Sequence, residues 1–354
     1  MALTCRPLDD GSAGDGRERA WDDFVAVHPD GSFFHRAAWR GVVEQAFGHR
    51  THYLMAERDG AVTGVLPLGH VRTALFGSTL ISVPFCVYGG PLAADRESFV
   101  ALIAAAEALM PAARASALEF RFSNAPPEDW LDAQAWPERS DLYVTFRKPI
   151  AADDTTNMQA IPRKQRAMVR KGIERGLAST ADRNVDLLHR IYAESVRNLG
   201  TPVFARRYFR LLAEIFCGDM DVVTIRDAGV PVAAVMNFYW RNEVLPYYGG
   251  GTAAARKCAA NDFMYWEVMR RAAARGCRLF DFGRSKTGTG AFAFKKNWGF
   301  TPAPLRYRFR LAPGAAIPDH NPLNPKYRLF IAAWKKLPLP VANLIGPPLV
   351  RGLG

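Results

Sequence analysis

Apolar runs at either end of Tyr53 to Leu68 (YLMAERDGAVTGVLPL) flank a polar middle that holds an Asp-Gly pair. That pattern predicts strand, tight turn, strand. The same signature returns at Val222 to Asn237 (VVTIRDAGVPVAAVMN). The first copy leads to Val87-Tyr88-Gly89-Gly90, an alanine-rich helix from about Asp95 to Ala115, and a strand, Ala117 to Ser123. The second leads to Tyr247-Tyr248-Gly249-Gly250, a helix from about Asn261 to Arg275, and a strand, Cys277 to Ser285. Landmarks recur at an offset of about 160 to 168 residues, so one unit is used twice. Each copy reads as helix, hairpin, strand, helix, strand with short connections, which predicts an α/β (α+β mixed sheet) fold with helices on both faces.

Helical spacing adds the flanking elements. Phe33 to Phe47 is an opening helix with Phe33 or Phe34, Trp39, Val42, Val43 and Phe47 as its buried side. Before the second copy come Arg163 to Arg175, Asp186 to Leu199 and Ala205 to Phe216; in the first of these Val169, Ile173 and Leu177 form the apolar side. The polar stretch Pro149 to Thr156 marks a boundary, giving domains at 1–150 and 151–312 and a tail at 313–354. Ala312 to Lys326, with four prolines, reads as an extended arm. In Tyr327 to Leu353 the four residues Pro338, Pro340, Pro347 and Pro348 argue against a long helix. This tail either packs on the body or, with Lys335 and Lys336 flanking Trp334, makes peripheral contact with an anionic inner membrane.

Composition narrows the class. A length of 354 residues fits two domains, and 49% hydrophobic with 23% charged residues fits a globular chain. No signal-peptide core and no bilayer-length apolar run is present, so a cytoplasmic location is expected. The five cysteines are scattered and unpaired in spacing, which reads as free thiols. His49 and His52 have no Cys or carboxylate cluster beside them, so no metal is expected. The net charge of +12 is concentrated: residues 161–175 carry six Lys/Arg against one Glu, 281–310 seven against Asp281, and 321–354 five against none. Such clustering points to anionic partners at defined places.

Phe280 to Phe300 (FDFGRSKTGTGAFAFKKNWGF) combines four glycines with Arg284, Lys286, Lys295 and Lys296. On Arg163 to Arg175, positions 163, 166 and 170 share one face and 164, 171 and 175 the adjoining one, with Glu174 as the lone acid. Together with LGTPVF (199–204), LPYYGGG (245–251) and ANDFMYW (260–266), these segments make nearly the whole chain resemble the FemAB-related acyltransferases, in particular the exosortase and exopolysaccharide-associated branch. The resemblance implies two tandem GNAT-like domains (the acyl-CoA N-acyltransferase fold) and transfer of an acyl or aminoacyl group to an amine. In the better-understood Fem enzymes the donor is aminoacyl-tRNA and the acceptor a peptidoglycan precursor.

On that reading Lys295, in Phe294-Lys295 followed by Trp298-Gly299, is similar to the Fem lysine beside the reacting carbonyl, and its ammonium would face the developing oxyanion. The reactive site is expected in the second domain, in the cleft between the halves. Asp281 is the candidate base, and Tyr247 or Tyr248 a proton relay. Arg284 to Gly290 is expected as a loop entering a helix over Ala291 to Asn297. There the glycine amides, including Gly288 and Gly290, would hold an anion with Arg284 or Lys286. Arg163, Arg166, Arg170 and Lys171 would contact phosphates of tRNA or of a nucleotide- or lipid-linked precursor. GNAT enzymes that use acyl-CoA carry a Q/R-x-x-G-x-G/A loop after the fourth strand; here that segment is ARKCAAND (255–262), and the first copy has GPLAADRE. No tightly bound cofactor is expected, the acyl donor (aminoacyl-tRNA or acyl-CoA) being a co-substrate. Two alternatives stay open: an acyl-CoA-dependent N-acyltransferase acting on an amino sugar or amino acid, and a noncatalytic tRNA- or glycolipid-binding module.

Overall fold

The computed structural model describes residues 2–9, 15–73, 77–318 and 328–352, so much of the expected arm, residues 319–327, lies outside the described residues. Two compact units form: unit 1 is Met1–Leu142 with Pro304–His320 and Arg351–Gly354, and unit 2 is Tyr143–Ala303 with Asn321–Val350. The first sheet and its helices start with β1 (Leu3–Pro7), α1 (Asp15–Val27), α2 (Trp39–Phe47), β2 (Arg50–Arg58) and β3 (Ala61–Thr73). They continue with β4 (Gly77–Ser82), β5 (Leu92–Ala93), α3 (Arg96–Ala113), β6 (Ala117–Phe122) and β7 (Glu138–Arg139). The second set opens with β8 (Tyr143–Pro149), α4 (Asp154–Ala160), α5 (Arg163–Glu174), β9 (Ala178–Asp182), α6 (Val185–Leu199) and α7 (Arg206–Ile215). It closes with β10 (Met220–Asp227), β11 (Val230–Trp240), β12 (Glu243–Gly251), α8 (Ala260–Ala274), β13 (Leu279–Lys286), α9 (Gly290–Asn297) and β14 (Pro302–Pro304). The chain then returns to the first sheet for β15 (Arg306–Leu311) and ends on α10 (Arg328–Trp334) and α11 (Leu339–Arg351).

The sheets repeat one order. Sheet 1 runs β1-β2-β3-β4-β6-β15-β7 and sheet 2, from its other end, β9-β10-β11-β12-β13-β8-β14. In each, a hairpin and a third antiparallel strand are followed by one parallel neighbour, β4 with β6 and β12 with β13. The next strand is exchanged in sequence: β15, from beyond the second copy, pairs with β6, and β8, from before it, pairs with β13. Both hairpins close on two-residue turns with positive φ at each position, Asp59-Gly60 and Ala228-Gly229, the backbone that continues the strand twist.

Several expectations change. The opening helix is split: a 3₁₀ turn over Phe33–His35, capped by Ser32, precedes α2, and Phe33 and Phe34 are both buried. Ile173 is 48% exposed; Gly172 faces inward instead, because a Cβ there would stand 2.8 Å from the Phe263 Cβ on α8. Tyr247 to Gly250 lie on a strand, but Val87 to Gly90 form a loop. That loop caps β6, since the Gly89 and Gly90 N–H groups both donate to the Arg121 carbonyl. The tail is helical despite its prolines. Pro340 falls in the first turn of α11, where no helical N–H is needed, and Pro347 and Pro348 sit near its end. Trp334, considered as an interfacial anchor, is buried, whereas Leu329, Phe330, Val341, Leu344 and Ile345 are exposed.

Candidate functional site

The parallel ladder between β12 and β13 lasts two residues, Glu243 with Leu279 and Val244 with Phe280. Beyond it β12 continues to Gly251 and β13 to Lys286 without pairing each other, so the strands open as a wedge. Both are bulged there. On β12 the partners step from Pro246 to Tyr248 as those on β11 step from Asn237 to Met236, leaving Tyr247 as the extra residue. On β13, Asp281 faces Arg147 and Arg284 faces Thr145, so two residues, Phe282 and Gly283, stand against Phe146 alone. Gly283 has φ +64, a left-handed conformation that favours glycine.

Lys295 reaches this bulge from α9. Its Nζ donates to three consecutive carbonyls, Phe282 (2.7 Å), Gly283 (3.1 Å) and Arg284 (3.0 Å). In a regular strand successive carbonyls point to opposite edges; the bulge turns three toward one ammonium. The Phe146 and Phe282 rings lie 5.7 and 5.9 Å from the nitrogen. Burial lowers the lysine from its usual 10.5 to about 7, with Asp281 pulling the other way and Arg284 adding to the fall.

Asp281 is the inner wall of the same bulge. Its side chain is fully buried, takes the Gly283 N–H at 2.6 Å, and is ion-paired with Arg147 Nε at 3.3 Å. Arg147 also pairs with Glu243, at the end where β12 and β13 are still paired. Arg284 and Lys286, expected in a loop, are instead on β13 opposite β8, and both cations stack on Tyr143, at 4.8 and 5.2 Å from its ring. Gly288, with φ +80, belongs to the turn before α9, and Gly290 is the first residue of that helix. The start of α9 is capped from within by Thr289, whose hydroxyl takes the Phe292 N–H at 3.3 Å and donates to the Lys286 carbonyl at 2.8 Å.

The two tyrosine rings meet edge to face, with centroids 4.9 Å apart. Tyr248 is buried toward α6 and α7, its hydroxyl 2.5 Å from that of Tyr208, among Tyr192, Phe204 and Phe209. Tyr247 is half-buried at the bulge. The glycines after them let helices approach: a Cβ on Gly249 would meet the Tyr265 hydroxyl at 3.0 Å, and one on Gly250 the Ser195 Cβ at 2.6 Å.

The basic helix joins this neighbourhood through its first turn. A Cβ on Gly299 would stand 3.0 Å from Pro162 Cδ, and Trp298 Nε1 donates to Asp262 Oδ1 at 3.0 Å. Asp262, in the first turn of α8, also bonds Gln165 of α5; burial raises its pKa and these two bonds oppose the rise. Outward, Arg163, Lys164, Arg170 and Lys171 are exposed, and among the described residues none is ion-paired. Arg166 donates to the Gln159 carbonyl at 3.4 Å.

Sequence reading did not find Arg147 and Tyr143, since nothing local ties β8 to β13, nor Tyr265, whose burial raises its pKa to about 12. Among the described residues no group of His, Cys, Asp and Glu is arranged to hold a metal, and no helix is long and apolar enough to cross a membrane.

Residues 158–296, a span that includes Lys295, match the family model of the acetyltransferase (GNAT) domain. Among solved structures, FemX aligns over 88% of this chain and 98% of its own, with 15% identity and a TM-score of 0.68. The C-terminal domain of a putative lysylphosphatidylglycerol synthetase from Agrobacterium fabrum aligns over 84% and 93%, with 13% identity and a TM-score of 0.56. A tandem GNAT protein from the clavulanic acid biosynthesis pathway aligns over 90% and 100%, with 14% identity and a TM-score of 0.54. No curated protein sequence matches the chain. The chain has the fold of two tandem GNAT-like units, and the second carries a GNAT-type acetyltransferase domain.

Proposed function

We propose that the chain is an acyl- or aminoacyltransferase that forms an amide on an amine acceptor, with its reactive site in the β12–β13 wedge. The observation that carries this reading is the Lys295 ammonium, held on three carbonyls where the two strands part. In unit 1 the equivalent edge of β6 is covered by the chain's own loop, through Gly89 and Gly90. In unit 2 the β12 edge past Val244 has no ladder with β13. An extended acyl arm can lie there as an added strand. Its carbonyl would then face a half-buried positive charge.

The acceptor nitrogen attacks the donor carbonyl carbon, and the C–N bond forms as charge moves to oxygen. Lys295 stabilises that oxyanion by turning one N–H from the Arg284 carbonyl toward it. Collapse breaks the bond to the leaving group, an ester oxygen or a thiolate, which takes the proton lost by the amine. In this reading Asp281 and Arg147 hold the bulge that aims Lys295, and Tyr248 packs the opposite face of β12.

Aminoacyl-tRNA is the favoured donor. The exposed, unpaired cations of α5 suit a polyanion, whose binding weakens steeply with salt. The β12–α8 loop lacks the glycines of a pyrophosphate cradle, and the buried Asp262 carboxylate occupies the positive end of α8. The sequence resemblance to the exosortase-associated branch of the FemAB-related acyltransferases favours an acceptor in cell-envelope or exopolysaccharide assembly, reached from the cytoplasmic face.

Hydroxylamine, a general amine acceptor, gives the test. The protein should convert aminoacyl-tRNA to the hydroxamate, and charged tRNA should raise its melting temperature more than uncharged tRNA. Hydroxamate formed from acetyl-CoA alone would sink the tRNA donor and leave the CoA-dependent enzyme. Binding of tRNA with no transfer from either donor would leave a binding module.

A further inference from the structure

Unit 2 has a second concavity that shares no residue with the wedge. It encloses about 500 Å³ between the start of α6, the first residue of α7, the β10–β11 hairpin and α11. Arg190, Arg206 and Arg226 line it, with Asp186, His189 and Asn343. Its charge is unbalanced. Asp186 is engaged by Arg210, which lies outside the lining, through contacts of 3.1 and 2.9 Å, while Arg206 stands 3.8 Å away. Among the described residues neither Arg190 nor Arg226 is ion-paired; Arg226 donates only to the Gly229 carbonyl, at 3.1 Å. Burial lowers the pKa of His189, although its Nε2, 3.1 Å from the Phe204 carbonyl, pulls the other way.

Three arginines lining one cavity give it a positive potential that attracts an anion. With Asp186 counted, the lining is short of about two negative charges, the charge of a phosphomonoester near neutral pH. A carboxylate supplies only one. Guanidinium forks match phosphate oxygens in pairs, and the volume leaves room for a small organic portion against Leu187 and Pro231. Asn343 also lines the cavity, and its amide offers both a donor and an acceptor to a ligand hydroxyl.

We propose that this cavity binds the phosphomonoester of a small hydroxylated molecule, either free or as the exposed phosphate of a lipid headgroup.

Calorimetric titration of the full chain with glycerol 3-phosphate, using glycerol as the control, reads the free form. Co-sedimentation with phosphatidylcholine vesicles containing phosphatidic acid, compared with an equal share of phosphatidylglycerol, reads the lipid form. Arg190→Gln and Arg226→Gln should melt like wild type without ligand, yet bind at least about tenfold more weakly. Arginine-dependent binding of glycerol 3-phosphate supports the proposal with a free ligand. Arginine-dependent preference for phosphatidic acid without soluble binding supports it with a lipid. Absence of both, or variants that bind as tightly as wild type, overturns it. Lys295→Met should bind as wild type does, so failure of the transfer reading leaves this test intact.

Discussion

Lys295 is the residue on which geometry and electrostatics disagree most usefully. Burial favours the neutral amine and puts the group at about 7, yet three carbonyls take all three ammonium protons. An amine would turn its lone pair toward one of them. The ammonium is therefore the working form, and transfer should lose activity as pH rises through about 7. Lys295→Arg, which stays charged, should remove that descending limb; Lys295→Met should lower kcat by about 10²–10³, the range for loss of one oxyanion donor. An ascending limb near the same pH would instead assign Lys295 as the base. Folding carries the matching sign. Between pH 7 and 10.5 the unfolded chain holds a proton on Lys295 that the folded chain releases, so its penalty is full below 7 and fades as pH rises.

Elements show how far a sequence speaks. The hairpins were legible because two strand-length apolar runs and the turn residues between them act within a few residues, and α3 because Asp95 caps it through the Ser98 N–H at 2.8 Å. The split before α2 was not, since no Pro or Gly falls in Arg36-Ala37-Ala38. The repeated Tyr-Gly-Gly misled for a physical reason: in unit 1 the glycines fit against Ser82 and Phe122 in a loop, in unit 2 they make room for α6 and α8. Lys295 could be singled out from the Phe-Lys and Trp-Gly pattern of its own segment and Asp281 from its place on the strand before it, whereas Arg147 reaches Asp281 only through a strand from far away. One turn departs from its own rule. Ala228 holds φ +47 where its counterpart is Asp59, a conformation that costs an alanine about 1 kcal/mol. Ala228→Asn should raise the urea midpoint by an amount equivalent to about 0.5–1 kcal/mol. No change would mean that the turn relaxes without strain.

At the scale of the whole molecule, the exchange of β8 and β15 means that neither half of the sequence contains its own complete sheet. Local periodicity cannot reveal this, because an antiparallel strand reads the same whichever sheet receives it. Unit 1 depends on β15 through six residue pairs with β6, from Arg306–Phe122 to Leu311–Ala117, and through the buried Leu305, Tyr307 and Phe309. Tyr307 also donates to the Val87 carbonyl at 3.2 Å, in the loop that covers the β6 edge. Ending the chain after Ala303 would strip that strand and leave β6 with an unpaired edge. Hydrogen exchange should then show protection lost across β6 and the Val83–Gly90 loop of unit 1, and a separately supplied peptide spanning 304–318 should restore it. Protection of β6 unchanged by the truncation would mean that unit 1 folds without the strand. In that case the exchange would be an ornament of the tandem fold and not the device that completes its first sheet.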